Sequence, residues 1–215
     1  MKIAVSGQPL PSRPPADARA AAIIESWLPE VFSSAGRAME GTSPRLRLSL
    51  SGAEGGEWNL QIADGALVVR RCTRTIGPRR DDPDIWIRQS AADFLAVIFP
   101  SEDLFELMPS TIDVVEVLRP DSQEMELLEK LDGRIKFELE GRRRRRWSVD
   151  AAFGRAGMLA GRPRTTVSID AGTCEKLAAR TLNPLQALLA GRLRVDGDKT
   201  FAMQVLMLVA TRIGG

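Results

Sequence analysis

The sequence predicts an α+β protein built from one small domain used twice, and three observations carry that prediction. Two stretches fall into register without a gap at a spacing of 89 residues, from 46 to 135. The first runs Leu46-Arg47-Leu48-Ser49-Leu50-Ser51-Gly52, then Trp58-Asn59-Leu60 and Gly65. The second runs Ile135-Lys136-Phe137-Glu138-Leu139-Glu140-Gly141, then Trp147-Ser148-Val149 and Gly154. Both alternate apolar and polar residues, the period of a half-buried strand. Runs of helical spacing that open on Ser, Thr or Asn follow each block, and these are the residues that cap helix N-termini. A repeat of this length exceeds the roughly 20–50 residues of solenoid units and matches a small domain.

The elements follow in order. Residues 1–16, with Pro9, Pro11, Pro14 and Pro15, read as a flexible leader. From Asp17 to Met39 the apolar spacing predicts a helix, or a helix pair around Pro29. Leu46 to Ser51 is a strand, Gly52 to Gly56 a turn, and Trp58, Leu60 and Ile62 a second strand. Asp64-Gly65 closes a hairpin onto Ala66 to Arg71. Thr73 to Pro83 is a polar loop, Ile85-Trp86-Ile87 a fourth strand, and Ser90 caps a helix carrying Phe94, Leu95 and Ile98. Ser101-Glu102-Asp103 caps a short helix, Leu104 to Met108, and Thr111 to Leu118 reads as either strand or helix. The first unit closes at 119.

The second unit, 120–215, starts with a helix from Met125 to Leu131 and then the repeated hairpin. Gly157 to Ala160 reads as a weak third strand, Thr166 to Asp170 as a fourth, and Thr173 as the start of a helix carrying Leu177. Asn183-Pro184 opens a helix through Leu189 that Gly191 ends. Leu193 and Val195 alternate as a strand, and Gly197-Asp198 turns into a last helix, Thr200 to Arg212. Trp58 and Trp147 read as structural anchors, and Asp64, Asp84 and Asp170 as turn or cap carboxylates.

Composition narrows the function. The chain has 215 residues, 44% hydrophobic, and a net charge of only +2, so nucleic acid is not the expected partner. It contains neither histidine nor tyrosine, which removes the commonest general base and the histidine-dependent nucleophile arrangements. No acidic pair reads as acid and base, and no ligand spacing reads as a metal site. The expectation is a non-enzyme without cofactor. Cys72 and Cys174 lack a CxxC partner and fit a reducing compartment. With no signal-like start and no membrane-length apolar run, the expected location is the cytoplasm. Arginine outnumbers lysine 25 to 5. The run Arg142 to Arg146 reads either as a solvated turn or as a contact for an anionic membrane surface.

Leu182-Asn183-Pro184-Leu185-Gln186-Ala187-Leu188-Leu189-Ala190-Gly191-Arg192-Leu193-Arg194-Val195-Asp196-Gly197-Asp198, followed by Phe201-Ala202-Met203, resembles the sterol carrier protein type 2 family. Glu57-Trp58-Asn59-Leu60-Gln61-Ile62-Ala63-Asp64-Gly65 and Pro83-Asp84-Ile85-Trp86-Ile87 with Ser90-Ala91-Ala92-Asp93-Phe94 resemble the family's earlier half. The resemblance implies two tandem sterol-carrier-like units, each a mostly antiparallel sheet covered on one face by helices. It also implies non-catalytic binding or transfer of an apolar lipid-type ligand: a fatty acyl chain, sterol or isoprenoid. The first copy lacks a Gly-Lys-Leu segment after residue 98, and the second lacks the Asp-Gly turn. The working cavity is therefore expected in the second copy, lined by Ile169, Leu177, Leu182, Leu188, Leu189, Phe201, Val205 and Leu208. The alternative is an accessory module that kept the fold, lost the cavity and holds a partner enzyme.

Overall fold

The computed structural model describes residues 11–12, 14–15, 17–34, 43–72, 83–99, 122–141, 146–159, 161–178 and 181–210. The segments expected at 104–108 and 111–118, the unit boundary at 119, most of the 73–83 loop and Arg142 to Arg145 lie outside the described residues.

The N-terminal helical run is continuous through Pro29. It comprises α1 (Ala20–Ala22), a π-helical turn (Ile23–Trp27) and α2 (Leu28–Ser34). Proline has no N–H, and its ring crowds the carbonyl four residues back. Here the preceding turn widens, so that the Leu28 N–H bonds the Ile23 carbonyl. Ile23, Ile24, Trp27, Val31 and Phe32 are buried along one side.

Strands β1 (Leu46–Ser51), β2 (Gly56–Ala63), β3 (Ala66–Arg71) and β4 (Ile85–Ser90) lead into α3 (Ala91–Ile98). Ser90 caps α3, its hydroxyl accepting from the Asp93 amide at 2.9 Å. After α4 (Ser122–Lys130) come β5 (Gly133–Glu140), β6 (Arg146–Phe153), α5 (Gly154–Leu159), β7 (Thr165–Asp170) and α6 (Ala171–Ala178). The described chain ends with α7 (Pro184–Leu189), β8 (Leu193–Gly197) and α8 (Lys199–Ala210).

The strands form one sheet of eight in the order β3-β2-β1-β4-β6-β5-β7-β8. This corrects the expectation of two separate, mostly antiparallel sheets. β1 and β4 run parallel, as do β5 and β7, so the sheet is mixed. Alternation specifies which residues face inward and says nothing of strand direction, and parallel neighbours require the long crossovers present here. The two hairpins nonetheless hold matching places. In each half the first strand pairs antiparallel with the second and parallel with a later strand, which runs into a helix. Their registers differ by two residues: Trp58 faces Leu48, whereas Trp147 faces Leu139, the counterpart of Leu50.

A second correction explains the join. Residues 154–159 form helix α5, not the start of a third strand at Gly157. A Cβ on Gly157 would stand 2.1 Å from the Gly133 carbonyl oxygen, so glycine lets α5 sit against the start of β5. The free edge of β6 is taken instead by β4, antiparallel, with Ile85 opposite Phe153 and Ile87 opposite Ala151. β4 thus does for β6 what β3 does for β2.

Every strand residue in the two apolar clusters lies on one sheet face. One cluster joins α1–α3 to Leu48, Leu50, Trp58, Leu60 and Leu67. The other joins α7 and α8 to Ile135, Ala151, Phe153, Val167 and Leu193. Ile87 packs against both. Trp58 is 0% exposed and donates its indole N–H to Glu25 at 2.6 Å. Trp147 donates to the Asp93 carbonyl at 2.9 Å, tying the second hairpin to α3 of the first half.

A fragment of residues 120–215 would expose the β6 edge and the side of Ala151 and Phe153 that β4 covers. Its thermal melt, followed by circular dichroism, is expected to lose cooperativity. Cooperative unfolding of the fragment at the full chain's midpoint would contradict the shared sheet.

Candidate apolar ligand site

The segment from Asn183 to α8 is shaped by three local devices. Asn183 and Pro184 start α7: the Asn183 side chain accepts from the Leu185 amide at 2.8 Å, and the Gln186 side chain reaches back to the Asn183 N–H. Gly191, at φ +67, ends the helix where other residues are disfavoured. Asp198 then caps α8, accepting from the Phe201 amide at 2.9 Å and from Arg164 at 2.6 Å. The Phe201 amide, then Arg164 and the Thr200 amide, outweigh the opposing effect of burial and hold the Asp198 carboxyl below its usual pKa. At Asp170 burial pushes the pKa upward, and the Thr173 hydroxyl and amide outweigh it, so that carboxyl too lies below its usual value. Both carboxylates cap helices, as expected for Asp170.

These devices lay α8 on β5, β7 and β8. Phe201, Ala202 and Val205 are buried in the C-terminal cluster with Val167, Ala187 and Leu193. The guanidinium of Arg164 stands 5.3 Å from the Phe201 ring centre. Of the eight residues expected to line a cavity, Phe201 and Val205 are core, and Leu177, Leu182, Leu188 and Leu208 pack partly buried around them. Ile169 is half-buried on β7 opposite Leu193. Leu189 is placed elsewhere: it is 79% exposed, because one residue beyond Leu188 turns the side chain about a quarter-circle around the helix. Met207, which composition alone would send inward, is 63% exposed. Leu185 is also exposed, four residues before Leu189 and on the same side of α7.

In the N-terminal half a cavity of about 20 Å³ lies among Ser43, Pro44, Leu46, Leu60, Ile62 and Leu67. That is room for about one water molecule and far from enough for a lipid. Among the described residues no helix is long and apolar enough to cross a membrane. Arg146 is exposed at the start of β6.

The model of the SCP-2 sterol transfer family matches residues 114–210, so this stretch carries that family's sequence pattern. No curated protein matches the chain in sequence. Similar solved structures include apo sterol carrier protein 2 from Yarrowia lipolytica, at 15% identity over 44% of this chain and 79% of that one, TM-score 0.33. Another is sterol carrier protein domain 2 of Helicoverpa armigera, at 19% identity over 46% and 81%, TM-score 0.34. A third is the inverting sec-alkylsulfatase Pisa1 from Pseudomonas sp., at 17% identity over 51% and 17%, TM-score 0.33.

The depressed Asp198 pKa fixes the sign of one pH effect. The stability it contributes is present above the ordinary carboxylate range and is lost as pH falls through the lower folded value. Asp198→Asn is expected to lower the melting temperature at neutral pH and to flatten the acid side of the stability profile. A variant whose melting temperature falls as steeply with acid as the parent's would argue against this cap.

Proposed function

We propose that this chain binds, and passes on, an apolar lipid-type ligand in its C-terminal half, between the sheet and helices α7 and α8, with no bond made or broken. The observation that carries this reading is the family match, which falls on the elements that shape that half. The physical case is consistent with it. Around the buried core of Phe201, Ala202 and Val205 stands a looser ring of partly buried leucines at 177, 182, 188, 206 and 208. Displacing that ring would admit a hydrocarbon chain without unmaking strand pairs. Burial of ~300 Å² of ligand would supply about 7 kcal/mol before the costs of ordering it. Ile169 then lines the sheet side, and Leu189 belongs to the rim.

The reading extends to the whole chain. The halves are degenerate copies of one unit, supported by the matching order of hairpin, parallel strand and helix. The first copy supplies β4 and a packed scaffold. The setting is the cytoplasm, and Arg142 to Arg146 touch an anionic membrane surface during transfer. A second reading is favoured by the exposed Leu185 and Leu189 on one side of α7: a protein-interaction module that holds a partner enzyme there.

Native mass spectrometry of gently purified protein separates the two. A co-purifying lipid mass is expected, and persistent apo-protein would favour the module. Leu188→Asn places an unpaired amide in the leucine ring at about 1–3 kcal/mol, so a fluorescent fatty acid is expected to bind roughly tenfold or more weakly. Phe94→Asn, in the N-terminal cluster, is expected to lower stability and leave affinity near the parent's. The reverse pattern in folded protein would move the site to the other half.

A further inference from the structure

The polar face of the sheet carries a group that nothing so far accounts for. Arg88 sits near its centre, in one cross-strand row with Ser49 of β1 and Asp150 of β6. It is half-buried, yet its Nε and Nη2 are both occluded and, among the described residues, without a hydrogen-bond acceptor. The obvious acceptor, Asp150, is engaged through both oxygens by Arg134, Nε on Oδ1 at 2.6 Å and Nη2 on Oδ2. Orphaned N–H groups on a cation are costly, more so than on a neutral amide.

The surroundings are built rather than incidental. The Arg88 guanidinium lies over the Trp86 ring at 4.4 Å, and that of Arg47 lies over the same ring at 5.8 Å. Trp86 is itself fixed, donating to Ser49 Oγ at 2.7 Å, and Ser49 donates to Glu57 at 2.7 Å. Arg47 is steered by Asn59 at 3.0 Å. Ala152, the cross-strand neighbour of Trp86, is fully buried beside it. Two arginines thus share one aromatic plate, a third stands close by, and the carboxylate next to Arg88 in the row, Asp150, is spent on the third. Burial, and next the charge of Arg134, draw the Arg88 pKa below the ordinary arginine value, and Asp150 opposes them less.

We propose that Arg88 forms an oxyanion-binding site beside Trp86 on the polar face of the sheet. The ligand group is a phosphate or carboxylate, whose paired oxygens match the Nε and Nη2 fork. Both nitrogens are occluded at rest, so binding requires a change of Arg88 rotamer that lifts the fork off the ring. This site lies on the face opposite the apolar clusters and does not depend on the lipid reading.

The test is thermal unfolding of the full chain with inorganic phosphate or succinate against sodium chloride of equal ionic strength. At tenfold excess over Kd a bound oxyanion is expected to raise the melting temperature by about 3–6 °C. Arg88→Gln is expected to lose that rise and, having no orphaned cation, to melt no lower than the parent without anion. Arg88→Lys keeps the charge without the fork and is expected to retain only a small part of the rise, which also covers a poorly folding glutamine variant. Vesicles of phosphatidylcholine with and without phosphatidic acid identify the source. Arg88-dependent cosedimentation with the acidic vesicles assigns the oxyanion to a lipid headgroup, and a response to soluble anion alone assigns it to a free ligand. Equal stabilisation by chloride, or an undiminished rise in Arg88→Gln, overturns the proposal.

Discussion

The pairing of β4 with β6 is the constraint on which the rest of the structure depends. β6 needs an outer neighbour, and the residues that would continue its hairpin turn into α5 instead. β4 fills the place, and in doing so it acquires the outer partner that it otherwise lacks among the described strands. Each half thereby completes the other, and the helices of both are obliged to lie on one common face. A free edge on either strand would be a template for association with other chains.

That common face decides what each half can do. The N-terminal cluster packs around Trp58 and the π turn, and the cavity described beside Leu46 and Leu60 is no larger than a water molecule. The C-terminal cluster is tight at its centre and looser at its rim, where leucines on α6, α7 and α8 are half-covered. The opposite face is dressed with ions and hydrogen-bonding groups: Lys136 lowers the Glu138 pKa through a 2.6 Å contact, and Arg134 engages Asp150. Apolar and charged side chains are therefore separated by the thickness of one sheet.

Local signals were well read from sequence because local physics sets them. Ser90, Asp170 and the Asn183-Pro184 pair each cap a helix, and Asp64-Gly65 takes the positive φ values of a tight turn. Period-two alternation placed Leu48, Leu50, Ile135 and Leu139 inward. What escaped was long-range. Strand direction leaves no trace in alternation, so the parallel pairs were invisible. The fate of Gly154 to Leu159 depended on β4 arriving from the other half, a contact across some seventy positions of chain. Leu189 and Met207 are apolar residues whose exposure only helix phase against the sheet determines. Trp86 sits between two inward isoleucines, so its outward direction was readable from alternation, but the arginines gathered around it came from two strands.

The proposed division of labour between a scaffold half and a ligand half is tested most directly by amide hydrogen exchange with and without a bound fatty acid. The account predicts slowed exchange in α7, α8 and the adjoining β8 amides, with α1 to α3 unchanged. Protection confined to α1, α2 and α3, or no change anywhere at saturating fatty acid, would contradict it.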